Sequence, residues 1–333
     1  MKDFFEKAVE ALSLGKLLSG PVRVTGGLTH RMYRFDTSRG SFAAKLLNPA
    51  IMQRPTALPN YARSDELEEQ LKRHRISAVY SLVIHGQKLQ LLDGQYFYLY
   101  QWFDGRPLRP DEISHRHCHR MGQAMAAIHS IRLRSEALPD ENPRIDWMFY
   151  LHQAETDDRA VYHMLRDALP LLDDSLTRGL EALRRVPAAT AICHNDMDPK
   201  NVLWAGDAYR IIDLECLGEA NPYRELYETA LCWAARGDDT VDFGRFAALL
   251  RGYFDHSPLS PRVDWEALYT ASIDRLYWLE YNLRRALRIE CTDEEERCLG
   301  LNEIHTTLEQ VKRYRQMRDD ILHEIENIFS HCS

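Results

Sequence analysis

Between Cys193 and Trp204 the chain reads "CHNDMDPKNVLW", and at 211–215 it reads "IIDLE". Asp196 is an acid in a loop, a residue type that can accept a proton from, or orient, an incoming hydroxyl. Asn201 and Asp213 carry side-chain oxygens of the kind that a hard cation such as Mg2+ takes as ligands. His194 reads as a brace that holds the loop through hydrogen bonds. Asp and Asn also form turns for ordinary reasons, and a short motif of this kind arises by chance. The added aspartate behind two isoleucines is what lowers that chance. Cys193 ends an apolar run and has no evident activating base, so packing is a better reading than nucleophile.

The elements around these residues explain how they meet. "ATAIC" enters the loop as a short strand, and "VLW" and "YRIID" are two more strands joined by the turn residues "AGDA". A turn centred between Gly206 and Asp207 sets position 201 opposite 212 and 200 opposite 213. Asn201 and Asp213 then lie near the open end of a hairpin, where cross-strand neighbours are ~5 Å apart and diagonal ones ~7–8 Å. One oxygen from each can reach a single small cation.

Parts of a phosphate clamp precede them. "TGGLTHRMYRF" is a strand, turn and strand in which Gly26 and Gly27 lack side chains that would block backbone N–H groups from phosphates, with Thr29 or His30 assisting. A Gly-Gly hairpin is also simply a hairpin, and the spacing matches neither common phosphate-loop pattern. Lys45 stands in the otherwise apolar "FAAKLL". Alternation of Phe42, Ala44 and Leu46 aims it, with Ala43, at the opposite face of the strand, where it could cover phosphates; an exposed edge lysine is the plain alternative.

Composition narrows the classes. The chain has 333 residues, more than one compact core usually holds, so two lobes are expected. A net charge of −8 gives no broad basic field, which argues against nucleic acid as a partner and mildly favours cationic substrates. No apolar run approaches the ~20 residues that span a bilayer, and Asp3, Glu6 and Glu10 make the first segment an amphipathic helix rather than a signal peptide. The seven cysteines are scattered without a C-x-x-C pair, so a reducing cytoplasm is expected, with neither disulfides nor a zinc knuckle. His115, His117 and His119 alternate, but on a helix such neighbours do not share a face.

Two styles of sequence follow one another. From about 20 to 103, short strand patterns alternate with Gly-containing turns around one helix, "SDELEEQLKRHR", with Ser64 or Asp65 as N-cap and Leu67 and Leu71 on its buried side. Beyond "DGRPLRP" the pattern is helical. Positions 265, 268, 272, 276, 279, 283 and 287 recur in threes and fours. The segment 293–330 repeats the pattern with Leu301, Ile304, Leu308, Val311, Ile321, Ile325 and Ile328, and either docks on the helical part or joins two subunits as a homodimer.

Taken in order, the glycine hairpin, the "FAAKLL" lysine, the helix, "YLYQWFDGRPL", "HNDMDPKN" and "IIDLE" make the chain resemble the aminoglycoside phosphotransferase and choline kinase family over nearly its whole length. The resemblance implies an α+β, two-lobed protein-kinase-like fold. It implies a small antiparallel-sheet lobe over 1–103, a hinge near 98–105, and a larger, mostly helical lobe over 104–333. It implies ATP and Mg2+ as cofactors, Asp196 as catalytic base, Asn201 and Asp213 as metal ligands, and Lys45 on the α- and β-phosphates. The lysine should pair with an acid of the inserted helix, Glu66 by spacing, with Glu69 as the other choice. By the same resemblance, backbone groups near Gln101 and Phe103 would hold adenine, and Tyr100 would close the back of the pocket.

Departures from the protein-kinase pattern point to small-molecule substrates. Asp198 stands where H-R-D-L-K has its lysine, "DLE" replaces D-F-G, and no A-P-E follows Asp213. "HND" with Glu215 is similar to choline and ethanolamine kinases, yet "ANPYRELYETALCWA" offers Glu225 and Glu228 where those enzymes place a further Asp. A nucleotide-binding regulatory pseudokinase would have lost the lysine, the base or a metal ligand, and none is lost. The acceptor is expected to be a hydroxyl-bearing small molecule, aminoglycoside-like, amino alcohol or sugar, with a cationic one favoured by the net charge. Its candidate contacts are Glu215, Glu228, Asp274, Tyr277 and Tyr281, with Glu219, Glu225 and Glu280 as further carboxylates. The stripe of Tyr269, Ile273, Tyr277 and Tyr281 could form an aromatic cage, though such a stripe is more often core.

Overall fold

The structure, a computed structural model, describes residues 1–24, 29–132, 144–237 and 240–329. The chain divides into two compact units, Met1–Ile113 with His194–Gly218, and Ser114–Cys193 with the chain from Glu219 onward.

The first unit opens with helix α1 (Lys2–Ala11), followed by strands β1 (Leu17–Val24), β2 (Arg31–Thr37) and β3 (Gly40–Leu46). A single turn, α2 (Pro49–Met52), leads to helix α3 (Ala57–Arg73), and strands β4 (Gln90–Leu92) and β5 (Gln95–Gln101) complete an antiparallel sheet of order β1-β2-β3-β5-β4. Strand alternation gives this sheet two different faces. Phe35, Phe42, Ala44, Leu46, Phe97 and Leu99 pack together with Phe5, Ala8 and Val9 of α1, and the Phe5 and Phe35 ring centroids are 5.0 Å apart. Ala43 pairs with Tyr100 and Lys45 with Tyr98 across the β3–β5 ladder, so these four share the opposite face. There Tyr98 joins Leu47, Ala57 and Tyr61.

Helix α3 begins earlier than its sequence suggests. Ser64 and Asp65, expected as caps, lie inside it, and Pro59 sits in its first turn, where a missing N–H costs nothing. Its buried residues are Ala57, Tyr61, Ser64, Leu67, Glu68 and Leu71.

The chain then builds helices α4 (His115–His129), α5 (Trp147–Asp157) and α6 (Arg159–Ala182) and strand β6 (Ala191–Cys193) of the second unit, before returning to the first with the hairpin β7 (Val202–Ala205) and β8 (Ala208–Ile211). Gly206, at φ +61°, makes its turn. Hydrogen bonds on both sides tie this hairpin to the first unit. The Arg106 and Trp204 backbones exchange bonds of 3.0 and 2.8 Å, Val79 N–H donates to Ile211 C=O, and Ile211 N–H donates to Ser77 C=O, each at 2.8 Å. The segment 194–218 therefore does not group with the helices that surround it in sequence, as a single boundary at 103/104 would have it.

Helices α7 (Pro222–Ala234), α8 (Phe243–Phe254), α9 (Trp265–Thr270), α10 (Asp274–Ala286), α11 (Glu294–Gln316) and α12 (Arg318–Phe329) complete the second unit. Helix α4 crosses α8 at two glycines. A Cβ on Gly122 would fall 2.1 Å from Leu249 O, and one on Gly252 would fall 2.1 Å from His119 O. Ile304, Leu308 and Val311 of α11 enter the same core as Leu276, Leu279 and Leu283 of α10. The C-terminal segment thus docks on its own chain. Among the described residues no helix is long and apolar enough to cross a membrane.

Candidate active site

The loop after β6 is set by its own backbone. His194 is fully buried, and its Nε2–H donates to the Ile212 carbonyl at 2.9 Å while Nδ1 accepts the Asp196 N–H at 3.3 Å. Asn195 takes a left-handed φ of +62°, which asparagine tolerates, and its Nδ2 donates to the Cys216 carbonyl at 2.8 Å. These bonds present Asp196 beside Asn201. The Asn201 Nδ2 donates to both the Asp196 carbonyl and Asp196 Oδ2, each at 2.8 Å. Lys200 Nζ stands 3.5 Å from Asp196 Oδ1 and 3.4 Å from Asp198. Burial raises the Asp196 carboxyl above the usual carboxylate range, the charges of Asp198 and Asp213 add to the effect, and Lys200 opposes it.

The hairpin pairs Val202 with Ile211, and Ile212 N–H donates to the Asn201 carbonyl at 2.9 Å, so position 201 faces 212. Beyond that pair the chain turns sharply, because Asp213 adopts φ +66° and ψ +47° and opens a short 3-10 turn at Leu214–Cys216. Lys45, on its β3 face, reaches both Asp213 and Glu215. Burial alone would lower the lysine, but the two carboxylates hold it well above its ordinary value. Burial likewise works against the Glu215 charge, and Lys45 and His30 outweigh it, holding that carboxyl at about 2.

The helix acids lie elsewhere. Glu66 is exposed and pairs with Arg63 at 2.7 Å, because it stands off the buried stripe of α3. Glu69 pairs with Lys88 at 3.0 Å. The buried acid is Glu68, which accepts the Ser81 N–H at 2.7 Å and hydroxyl at 2.8 Å, with Lys88 at 3.4 Å. The lysine's acid partners are therefore Asp213 and Glu215, correcting both helix choices. Gly26 and Gly27 lie outside the described residues, and Thr29 is half-buried.

Tyr100 shares the Lys45 face, and its hydroxyl is raised well above the ordinary range by burial and by the Glu215 charge. Gln101 is exposed, its side chain donating to the Ser41 carbonyl. Trp102 N–H also donates to Ser41 O, and the Phe103 carbonyl accepts the Gly105 N–H at 3.0 Å.

In the second unit Glu228 accepts the Ser272 hydroxyl and lies 3.6 Å from Arg275. Burial raises its carboxyl, with Asp274 adding and Arg275 opposing. Asp274 pairs with Arg224 at 2.8 Å. Tyr277 packs against the core of α6, α10 and α11. Tyr281 lies with its ring 5.5 Å from Trp278 and 5.2 Å from the Arg285 guanidinium. Tyr269 and Ile273 are core residues, while Tyr277 and Tyr281 are half-buried. Glu280 accepts the Tyr150 hydroxyl at 2.7 Å, and Glu225 lies 2.6 Å from His129 Nε2.

Sequence reasoning missed the pairing of His30 with Glu215 and the burial of Glu68. The first has no local signal, since its partners are far apart in the chain. The second was readable from the spacing of Tyr61, Ser64, Glu68 and Leu71.

The sequence matches the model of the phosphotransferase enzyme family over residues 22–265. A solved spectinomycin phosphotransferase, APH(9)-Ia, in complex with ADP and spectinomycin is similar with a TM-score of 0.67 at 14% identity, over 93% of this chain and 98% of that one. An ethanolamine kinase of Plasmodium vivax is similar at 0.60 and 14% identity, over 87% and 81%. The choline kinase LicA of Streptococcus pneumoniae is similar at 0.57 and 18%, over 94% and 99%. Identities this low establish a shared kinase-like fold. No curated protein sequence matches. With the family match spanning most of its length, this chain belongs to the phosphotransferase enzyme family and is a small-molecule kinase.

Proposed function

We propose that the enzyme moves the γ-phosphoryl group of ATP to a hydroxyl of a small, amine-bearing or polyhydroxylated molecule, with Asp196 as the base that orients the hydroxyl and takes its proton. The observation that carries the reading is the gathering of Lys45, Asp213, Asn201 and Asp196 within one unit. The amide nitrogen of Asn201 is engaged by Asp196, which leaves its Oδ1 to act as a ligand beside the Asp213 carboxylate. An all-oxygen donor set of this kind fits Mg2+. Bound Mg2+ and ATP supply charge neutralisation and the transferred group.

The protein's part is positioning and proton handling. Lys45 offers a fixed positive charge for phosphate oxygens. Asn201 fixes one Asp196 oxygen, and the raised affinity of Asp196 for a proton brings it closer to the strength a general base needs near neutral pH. Tyr100 backs the Lys45 face, and the hinge around Gln101 and Phe103 contributes backbone groups to adenine. The net charge of −8 favours an amine-bearing acceptor, and Glu228 and Asp274 would hold the amine by exchanging their partners Arg275 and Arg224 for it. The burial of Tyr269 and Ile273 takes half of the aromatic stripe away from any ligand. The free cysteines fit a reducing cytoplasm.

The test is Mg2+-dependent ATP consumption against aminoglycosides, amino alcohols, choline, ethanolamine and sugars, with Asp196→Ala beside the wild type. One acceptor should give turnover, and the variant should lose about 10²–10⁴-fold in kcat while still binding nucleotide. Equal turnover in the folded variant would remove Asp196 from the base role. Nucleotide binding without any acceptor would favour a regulator.

A further inference from the structure

His30 is buried, 7% exposed, and both of its ring nitrogens are engaged inside the protein. Nδ1 accepts the backbone N–H of Asn48 at 3.0 Å, so the proton of the neutral ring sits on Nε2. Asn48 is itself fixed, because its Oδ1 accepts the Ala50 N–H at 2.9 Å as the cap of α2. The Nε2–H lies 3.0 Å from Glu215 Oε1 and 3.2 Å from the Tyr61 hydroxyl. The other Glu215 oxygen contacts Lys45, which also contacts Asp213.

A ring with no free nitrogen cannot donate to a phosphate. We infer that His30 is a positioning residue: through Glu215 it sets Lys45 beside Asp213, a support that here comes from the residue preceding β2 and not from an acid of helix α3. The acids of the helix are otherwise engaged: Glu68 by Ser81 and Lys88, Glu69 by Lys88 and Asp65 by the Tyr98 hydroxyl, while Glu66 faces solvent. Lys45 is buried and the Glu215 side chain is 11% exposed, and a charge so withdrawn from water keeps its place only when paired with good geometry. The bond from His30 fixes the carboxylate plane that Lys45 meets. The inference rests on the proposed nucleotide role of Lys45.

The test compares His30→Asn, His30→Gln and Glu68→Gln with the wild type. Asparagine keeps a polar group near the Nδ1 position and loses the donor to Glu215; glutamine restores an N–H near the Nε2 position. We expect His30→Asn to raise the KM for ATP and the directly measured Kd of Mg·ADP about tenfold, with the KM for the acceptor unchanged. His30→Gln should recover most of this. Glu68→Gln should lower the urea midpoint without moving the Kd. Should His30→Asn fail to fold, Glu215→Gln is expected to give the same rise in Kd. Unchanged Kd in the folded His30→Asn, equal losses in the Asn and Gln variants, or a rise in Kd for Glu68→Gln would each overturn the inference alone. A wild type that binds no Mg·ADP would overturn the nucleotide reading and this inference with it.

Discussion

Asp213 combines a left-handed backbone with a charged side chain, and the two properties have different consequences. A residue other than glycine in that region costs on the order of 1 kcal/mol, and Asp and Asn bear it best because their short polar side chains bond locally. Asp213→Asn should therefore fold, while leaving Lys45 with one carboxylate partner in place of two and the cation with a weaker ligand. We expect the Mg2+ concentration for half-maximal turnover to rise at least about tenfold, read from a Mg2+ titration. An unchanged requirement would take the metal away from this residue. Asp65 makes a separate prediction about pH. Burial pushes its carboxyl up to about 6, with Glu68 adding and Lys88 opposing. In the unfolded chain it titrates near about 3.9, so the folded state binds the proton more tightly and loses stability as pH rises from about 4 through 6. Asp65→Asn should thus stabilise the protein by about 1 kcal/mol at about pH 7.5, after allowing for partial exposure, and by almost nothing at about pH 4. Urea midpoints at the two pH values decide it, and an equal gain at both would exclude burial of the charge as the cause.

At the scale of elements, the close crossing of α4 and α8 depends on the two glycines that face it. Alanine is the better helix former by about 1 kcal/mol, yet a Cβ on Gly122 would overlap the Leu249 carbonyl and lie 2.6 Å from Tyr253 N, both backbone atoms that cannot swing aside. Gly122→Ala should lower stability by about 1–3 kcal/mol in urea unfolding; a neutral or stabilising result would mean the helices separate cheaply. Other elements show what could be read beforehand. The β7–β8 hairpin was legible because turn chemistry at Gly206 and two-residue alternation fix a register within one short stretch, and the same alternation set Lys45 opposite Phe42, Ala44 and Leu46. Helix α3 was less so. Ser64 and Asp65 resemble caps, and Pro59 resembles a breaker, but in the first turn proline is tolerated and burial of Ala57 and Tyr61 extends the helix backward. Glu66 lies outside the buried stripe of Tyr61, Ser64, Leu67, Glu68 and Leu71, which is why it does not reach Lys45. Nor could any local pattern show that Tyr277 joins the core, since α10 has two apolar stripes and only its tertiary neighbours decide their use.

Over the whole molecule, every side chain proposed to meet nucleotide or metal belongs to the first unit, and Glu228 and Asp274 belong to the second. A ligand that binds only the folded state stabilises the parts it contacts. Mg·ADP should accordingly slow hydrogen exchange in β3, β5, β7 and β8 and leave α10 and α11 nearly unchanged, as measured by exchange mass spectrometry. Protection confined to α10 and α11 would contradict the assignment. The interruption of the first unit by Ser114–Cys193 also has a meaning for synthesis. Lys45 leaves the ribosome 168 residues ahead of Asp213, and at roughly 5–20 residues per second the interval is on the order of ten seconds. Throughout that interval the first sheet lacks the hairpin that bonds to Ser77, Val79 and Arg106, and a lysine destined for the interior has no carboxylate to meet. The nascent sheet must keep that amine hydrated, so its sealing waits on a translational event much later in the chain, and a ribosome stalled before Asp213 would hold an open, half-built form of the proposed nucleotide site.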